Sequence, residues 1–137
     1  MIKAKIEDLK KLYKHLSIQS ILDIKDNFNE VSFGVLEAIN KDCESSYLIY
    51  NNNKVMAGIF IFNTINTYNI IIYTGSLFIK NKEVCCEKIK ELLNMLKGKE
   101  INSIIYKNAR QILEFMYYIG FIPKQNKNYY KILEYIK

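Results

Sequence analysis

The stretch Asn108-Ala109-Arg110-Gln111-Ile112-Leu113-Glu114-Phe115-Met116-Tyr117-Tyr118-Ile119-Gly120-Phe121 decides how this chain is read. It reads as an amphipathic helix over 109–119, opened by Asn108 and stopped by Gly120-Phe121. Asn is favoured just ahead of a first helical turn, and Gly readily takes the conformation that ends one. Working back from it, residues 101–106 read as a strand. Residues 82–97 read as a helix, with Cys85, Ile89, Leu92, Leu93 and Leu96 on one stripe and Gly98 as its stop. Working forward, residues 121–136 give one or two closing strands that turn at Gln125-Asn126-Lys127-Asn128. Strand, helix, strand, helix in this order implies a crossover unit and a partly parallel sheet.

The first half is read more coarsely. Residues 3–6 form a short strand, and Ile6, Leu9, Leu12, Tyr13 and Leu16 follow at helical spacing. A second helix is expected over 29–39, where Val31, Val35 and Ile39 recur every four residues. Residues 46–51 and 54–62 form a hairpin across Asn51-Asn52-Asn53, since Asn tolerates positive φ. A long third strand is expected over 66–79, with a bulge at Gly75 that would expose backbone groups. The predicted order is β-α-α-β-β-β-α-β-α-β. With no repeat or linker, the 137 residues fit one domain, 1–137.

Composition narrows the classes. A chain that is 50% hydrophobic and 13% aromatic is not disordered. The net charge is +6, but Lys alternates with Glu and Asp along nearly every polar stretch. That is a solvated surface rather than a nucleic-acid footprint. All basic residues but Arg110 are Lys, and with many Ile and Asn this has a bacterial flavour. Cys43, Cys85 and Cys86 offer neither a disulfide framework nor metal spacing, and His15 is the only histidine; no metal is expected. No signal peptide opens the chain and no apolar run is long enough for a membrane span, so a cytoplasmic protein without membrane contact is expected.

The closing helix resembles that of the GNAT family of acyl-CoA-dependent N-acetyltransferases, whose pattern runs N-x-x-A-x-x-x-Y-x-x-x-G-F. The opening Ile2-Lys3-Ala4-Lys5-Ile6-Glu7-Asp8-Leu9 is similar to that family's first strand and Asp-Leu helix, and the element order agrees over almost the whole length. The resemblance implies an α/β (α+β) fold: a mixed, mostly antiparallel sheet flanked by about four helices, with a β-α-β-α-β C-terminal half. It implies acetyl-CoA, or another acyl-CoA, lodged where the long strand parts from the strand after the central helix. The pyrophosphate loop then falls at Lys80-Asn81-Lys82-Glu83-Val84-Cys85, with Glu83 and Cys85 in place of the family's glycines. An alternative alignment ends the strand at Leu77-Phe78-Ile79 and shortens the loop. The arm of the donor is expected near Asn108 and Met116.

Acetyl transfer needs a base for the amine proton and an acid for the departing thiolate. The family's acid tyrosine falls on Met116, a residue that cannot serve. Tyr117 is the substitute if the helix is re-registered, with Tyr73 and Tyr106 as other hydroxyl sources. Residues 68–79 hold no carboxylate, so Glu44 is the candidate base, with Glu30 behind it. Asp23, Asp26 and Glu30 point to a cationic acceptor, a small molecule or a protein amine. If Met116 occupies the acid's place, tyrosine there is expected to leave folding largely intact and to raise acetyl-CoA turnover; a large loss of stability would mark the position as sealed core. The leading reading is an N-acetyltransferase of unknown amine substrate. The alternative is a catalytically inactive GNAT-fold binding or regulatory module; a basic nucleic-acid protein ranks last. The apolar closing strands leave a homodimer open.

Overall fold

The computed structural model describes residues 2–76 and 78–137. The chain begins with three helices, α1 (Ile6–Lys14), α2 (Ile18–Phe28) and α3 (Phe33–Asp42). Strands β1 (Ser45–Asn51), β2 (Lys54–Asn63) and β3 (Thr67–Thr74) follow. A 3-10 turn (Ile79–Asn81) leads into α4 (Lys82–Met95), then β4 (Glu100–Tyr106), α5 (Arg110–Ile119), β5 (Phe121–Asn126) and β6 (Tyr130–Tyr135). The strands form one sheet in the order β1-β2-β3-β4-β6-β5. Only the β3–β4 pair is parallel among the described residues.

Helices cover both faces of this sheet. On one side α4 and α5 press Ile89, Leu93, Ile112, Phe115 and Ile119 onto Ile59, Ile72 and Ile105. On the other, Leu9, Leu12, Leu36 and Ile39 of α1 and α3 meet Phe60 and Tyr73. Because β2 is covered on both faces, Val55–Ile61 is buried without alternation, which is why it reads as one apolar run. The closing helix ends as expected: Gly120 has φ +126°, and its N–H donates to the Met116 and Tyr117 carbonyls.

Four expectations are corrected. The first strand does not form. The Ala4 N–H donates to the Ser46 hydroxyl (2.7 Å) and the Ala4 carbonyl accepts from Asn40 Nδ2 (3.1 Å), so side chains take the groups a ladder would use. The helix expected over 29–39 is α3, shifted to Phe33–Asp42, and a helix that was not expected, α2, precedes it, so five helices flank the sheet among the described residues. Asn29, at φ +61°, ends α2, and the Ser32 hydroxyl caps α3. The sequence does not show α2, because Ile18, Ile21, Leu22 and Phe28 are exposed and blur its inward stripe. β3 stops at Thr74 instead of running to Ile79. Gly75 is no bulge: its N–H donates to the Met56 carbonyl at 2.7 Å, in step with the β2–β3 ladder.

Candidate functional site

The parallel pair β3–β4 is brief. Register runs only from Thr67↔Glu100 to Asn69↔Asn102, although β3 continues to Thr74 and β4 to Tyr106. The parting begins where the Ser103 hydroxyl donates to the Ile70 carbonyl at 2.7 Å, a side-chain bond standing where the next ladder bond would fall. Beyond it the strands diverge, and α2 packs on both.

Backbone groups along a strand alternate between its two edges. Ile70, Ile72 and Thr74 therefore face the parted side, while Gly75 faces β2. Thr74 is fully engaged there. Its N–H donates to the Ser20 hydroxyl (2.7 Å) and its carbonyl accepts the Ser17 N–H (2.8 Å). The Ser76 N–H donates to the His15 carbonyl at 2.7 Å. With Leu16 bridged to Gly75, the α1–α2 linker lies along the end of β3 like one more short strand. Gln19 extends the contact, its Oε1 accepting the Gln111 N–H at the start of α5 (3.1 Å). What remains of the mouth, lined by Ser17, Gln19, Thr74, Gly75, Phe78 and Gln111, is about 20 Å³, room for roughly one water.

Inside the parting sits Asp23 of α2, 3% exposed. Burial is the main force on its carboxyl and pushes its pKa up to about 6; the Tyr106 backbone N–H opposes this, and the Asp26 charge adds to it. Among the described residues its Oδ1 has no hydrogen-bond partner, and neither has the hydroxyl of Tyr73, which is fully buried. Burial first, and the charge of Asp23 second, raise the Tyr73 phenol above its ordinary value. A buried carboxyl shifted toward neutrality beside an unpartnered phenol is a candidate proton-handling group, although the phenol itself is pushed away from neutral pH. The sequence carried a signal for it. Ser20, Asp23 and Ile24 share the inward i, i+3, i+4 stripe of α2, and a carboxylate on an inward stripe is unusual. From the sequence alone, Asp23 reads only as one of three acidic residues, with Asp26 and Glu30, that point to a cationic acceptor.

The residues expected at the site are divided. Lys80, Lys82, Glu83 and Val84 do come together, lining with Asn81 a shallow depression of about 290 Å³ at the start of α4. The N–H groups of a first helical turn have no intrahelical partners and suit an anion. Asn81 does not cap this helix; its Oδ1 accepts from Asn51 Nδ2 at 2.6 Å. Lys82 Nζ lies 4.6 Å from the centre of the Tyr118 ring. Phe78 stacks edge-on against Phe115, centroids 4.3 Å apart. Leu77 lies outside the described residues, and Ile79 opens the 3-10 turn.

Others lie elsewhere. Cys85 and Met116 are fully buried in the core under α4 and α5. Tyr117 faces β6, where its hydroxyl accepts from Lys131 Nζ at 3.2 Å. Glu44 precedes β1, two strands from the parting, and its N–H donates to the Ile61 carbonyl. Asn108 is exposed; its Nδ2 donates to Asp26 Oδ2 at 3.3 Å, and it is not the cap of α5, a position taken by Ala109 without a side-chain bond. Tyrosine at position 116 would enter sealed core, so the expectation of an undisturbed fold is withdrawn.

A mixed sheet that parts between its parallel strands, beside a helix start, defines the class: the fold of the GNAT N-acetyltransferases. Solved structures of that fold superpose on nearly the whole chain. The GNAT domain of PAT from S. lividans does so with a TM-score of 0.70 at 9% identity, over 97% of this chain and 87% of that one. The ribosomal-protein-S18-alanine N-acetyltransferase of Escherichia coli gives 0.68 at 10%, over 97% and 90%. Spermidine N-acetyltransferase from Vibrio cholerae, in complex with CoA and spermine, gives 0.63 at 12%, over 96% and 90%. No family model and no curated protein matches the sequence. The chain has the GNAT fold. Among the described residues, no helix is long and apolar enough to cross a membrane.

Proposed function

We propose that this protein is an acyl-CoA-dependent N-acetyltransferase. One observation carries the reading: β3 and β4 part after Asn69 and Asn102 beside the start of α4, and the parting holds the Asp23 carboxylate. The residues fit an acyl-CoA donor at its phosphate end. Lys80, Lys82 and the first turn of α4 would hold the pyrophosphate once Glu83, which lines the same depression, swings aside, and the arm would run past Asn108 toward the edge of β3. In the transfer, the amine nitrogen forms a bond to the acyl carbon as the C–S bond breaks. Asp23 takes the amine proton, and the Tyr73 hydroxyl supplies the hydrogen bond that steadies the departing thiolate.

A specific observation favours a second reading. The linker 15–17 and Ser20 already hold the β3 edge at Thr74 and Ser76, and about 20 Å³ cannot take a pantetheine arm. A GNAT-fold module without turnover would keep that edge closed; an enzyme must open it.

Thermal unfolding with acetyl-CoA separates the two. At a hundredfold excess over Kd, binding stabilises by about 2.7 kcal/mol, several degrees in Tm for a chain of this size. An unmoved Tm with acetyl-CoA and longer acyl-CoAs at millimolar concentration would refute the enzyme.

A further inference from the structure

A cleft lies beside the parting. It measures about 380 Å³ and is walled by Lys11 and His15 at the end of α1, by Asn53, Lys54 and Val55 where β1 turns into β2, and by Ser76 after β3. That volume is in the range of small-molecule sites.

Its charge is one-sided. No carboxylate lines it, and neither Lys11 nor Lys54 has a hydrogen-bond or ion-pair partner among the described residues. Lys11 alone would be ordinary, since a helix C-terminus attracts cations. Lys54 stands on the opposite wall, on a hairpin, and no helix end accounts for it. Two ammonium groups facing one concave space raise the local concentration of anions.

The cleft also has a neighbour. Ser76 is a wall both of this cleft and of the narrow mouth of the parting, and the bond from its N–H to the His15 carbonyl ties the two together. On the far side of that mouth α2 carries Asp23 and Asp26. Charge is thus sorted along one path, cationic in the cleft and anionic in the parting. We propose that the cleft holds the anionic end, phosphate or carboxylate, of an acceptor whose amine points toward Asp23. The acceptor class is then a small amine bearing an acid group, not a polycation. This rests on the acetyl-transfer reading for the amine end alone; the anion site stands on the cleft.

The only histidine of the chain is in the cleft wall, so the proton NMR signals of the His15 imidazole report this site directly and need no acyl-CoA. Titration with O-phosphoethanolamine should move them saturably, at millimolar concentration or below. Ethanolamine at matched ionic strength should not. The double variant K11Q/K54Q should weaken binding at least about tenfold, the loss of two charge-assisted contacts, and keep the wild-type Tm, because both side chains are exposed. A shift that persists in the double variant, or that sodium chloride reproduces, overturns the proposal. So does inorganic phosphate binding as tightly as the amino ester, because the amine then adds nothing. Movement with CoA but not with O-phosphoethanolamine assigns the cleft to the donor and overturns it too. Failure of acetyl-CoA to stabilise the protein leaves the His15 titration untouched, so the two readings fail separately.

Discussion

At the scale of the residue, Asp23 is the buried carboxyl on which the proposed transfer depends. Its folded pKa, about 6, lies above the ordinary 3.8, so the folded chain keeps a proton that the unfolded chain has released. Its contribution to stability therefore falls as pH rises from about 4 to about 6 and is flat above that, a cost of about 3 kcal/mol at neutral pH. Asp23→Asn removes the ionisation. The variant should match wild type near pH 4, exceed it in Tm at pH 7, and lose acetyl transfer if Asp23 takes the amine proton. Equal pH slopes for the two proteins in urea unfolding would show that the carboxyl is not buried as described. Met116 is the opposite case, fully buried among Phe115, Ile119 and Phe121. Met116→Tyr adds volume and a hydroxyl to a sealed core, and should cost about 2 kcal/mol or more in urea unfolding. A neutral result would reopen position 116 as a site.

At the scale of the element, the end of β3 is held by close approach. A Cβ on Gly75 would stand 2.8 Å from the Val55 carbonyl oxygen, a backbone atom that cannot swing aside. Gly75→Ala should lower the urea midpoint by an amount equivalent to roughly 1–3 kcal/mol and loosen the linker bridge at Leu16, seen as faster amide exchange at Ser17 and Ser76. Retained stability would mean that the strand end is softer than its hydrogen bonds imply. Sequence and structure agree well for the elements that come after. The helix at 82–97 ends at Met95, with Leu96 as its cap and Gly98 at φ +85°. The strand at 101–106 gains only Glu100, and the last helix begins one residue late. These elements were legible because each has a clean period and a local stop. α2 was not, because Ile18, Ile21, Leu22 and Phe28 are exposed and two of its three inward residues, Ser20 and Asp23, are polar.

At the scale of the whole molecule, all three cysteines are buried on two faces of one sheet. Burial is the first cause of the upward shift of each thiol, and pushes Cys85 to about 11. An aromatic disulfide reagent at pH 8 should therefore react slowly with the native protein and quickly with three thiols in guanidinium, since the thiolate is the nucleophile. A fast-reacting native thiol would place Cys86, the least covered at 6% exposed, at an opening the fold does not show. The same burial explains why Cys85 could be mistaken for a phosphate-loop residue: spacing from a strand end counts positions along the chain, while the turn of α4 decides which of them face inward.

The sequence by itself determined the C-terminal half of the sheet, the hairpin at Asn51-Asn52-Asn53 and the start of α4, because period, caps and turn residues act within a few positions of one another. Only the tertiary structure decided the state of the parting. Its closure depends on Leu16 meeting Gly75, Ser17 and Ser20 meeting Thr74, and Gln19 meeting Gln111. Those partners are tens of residues apart, and the bonds are mostly to backbone atoms. A backbone donor or acceptor is the same whatever residue carries it, so no pattern of side chains along the chain records which edge it will join.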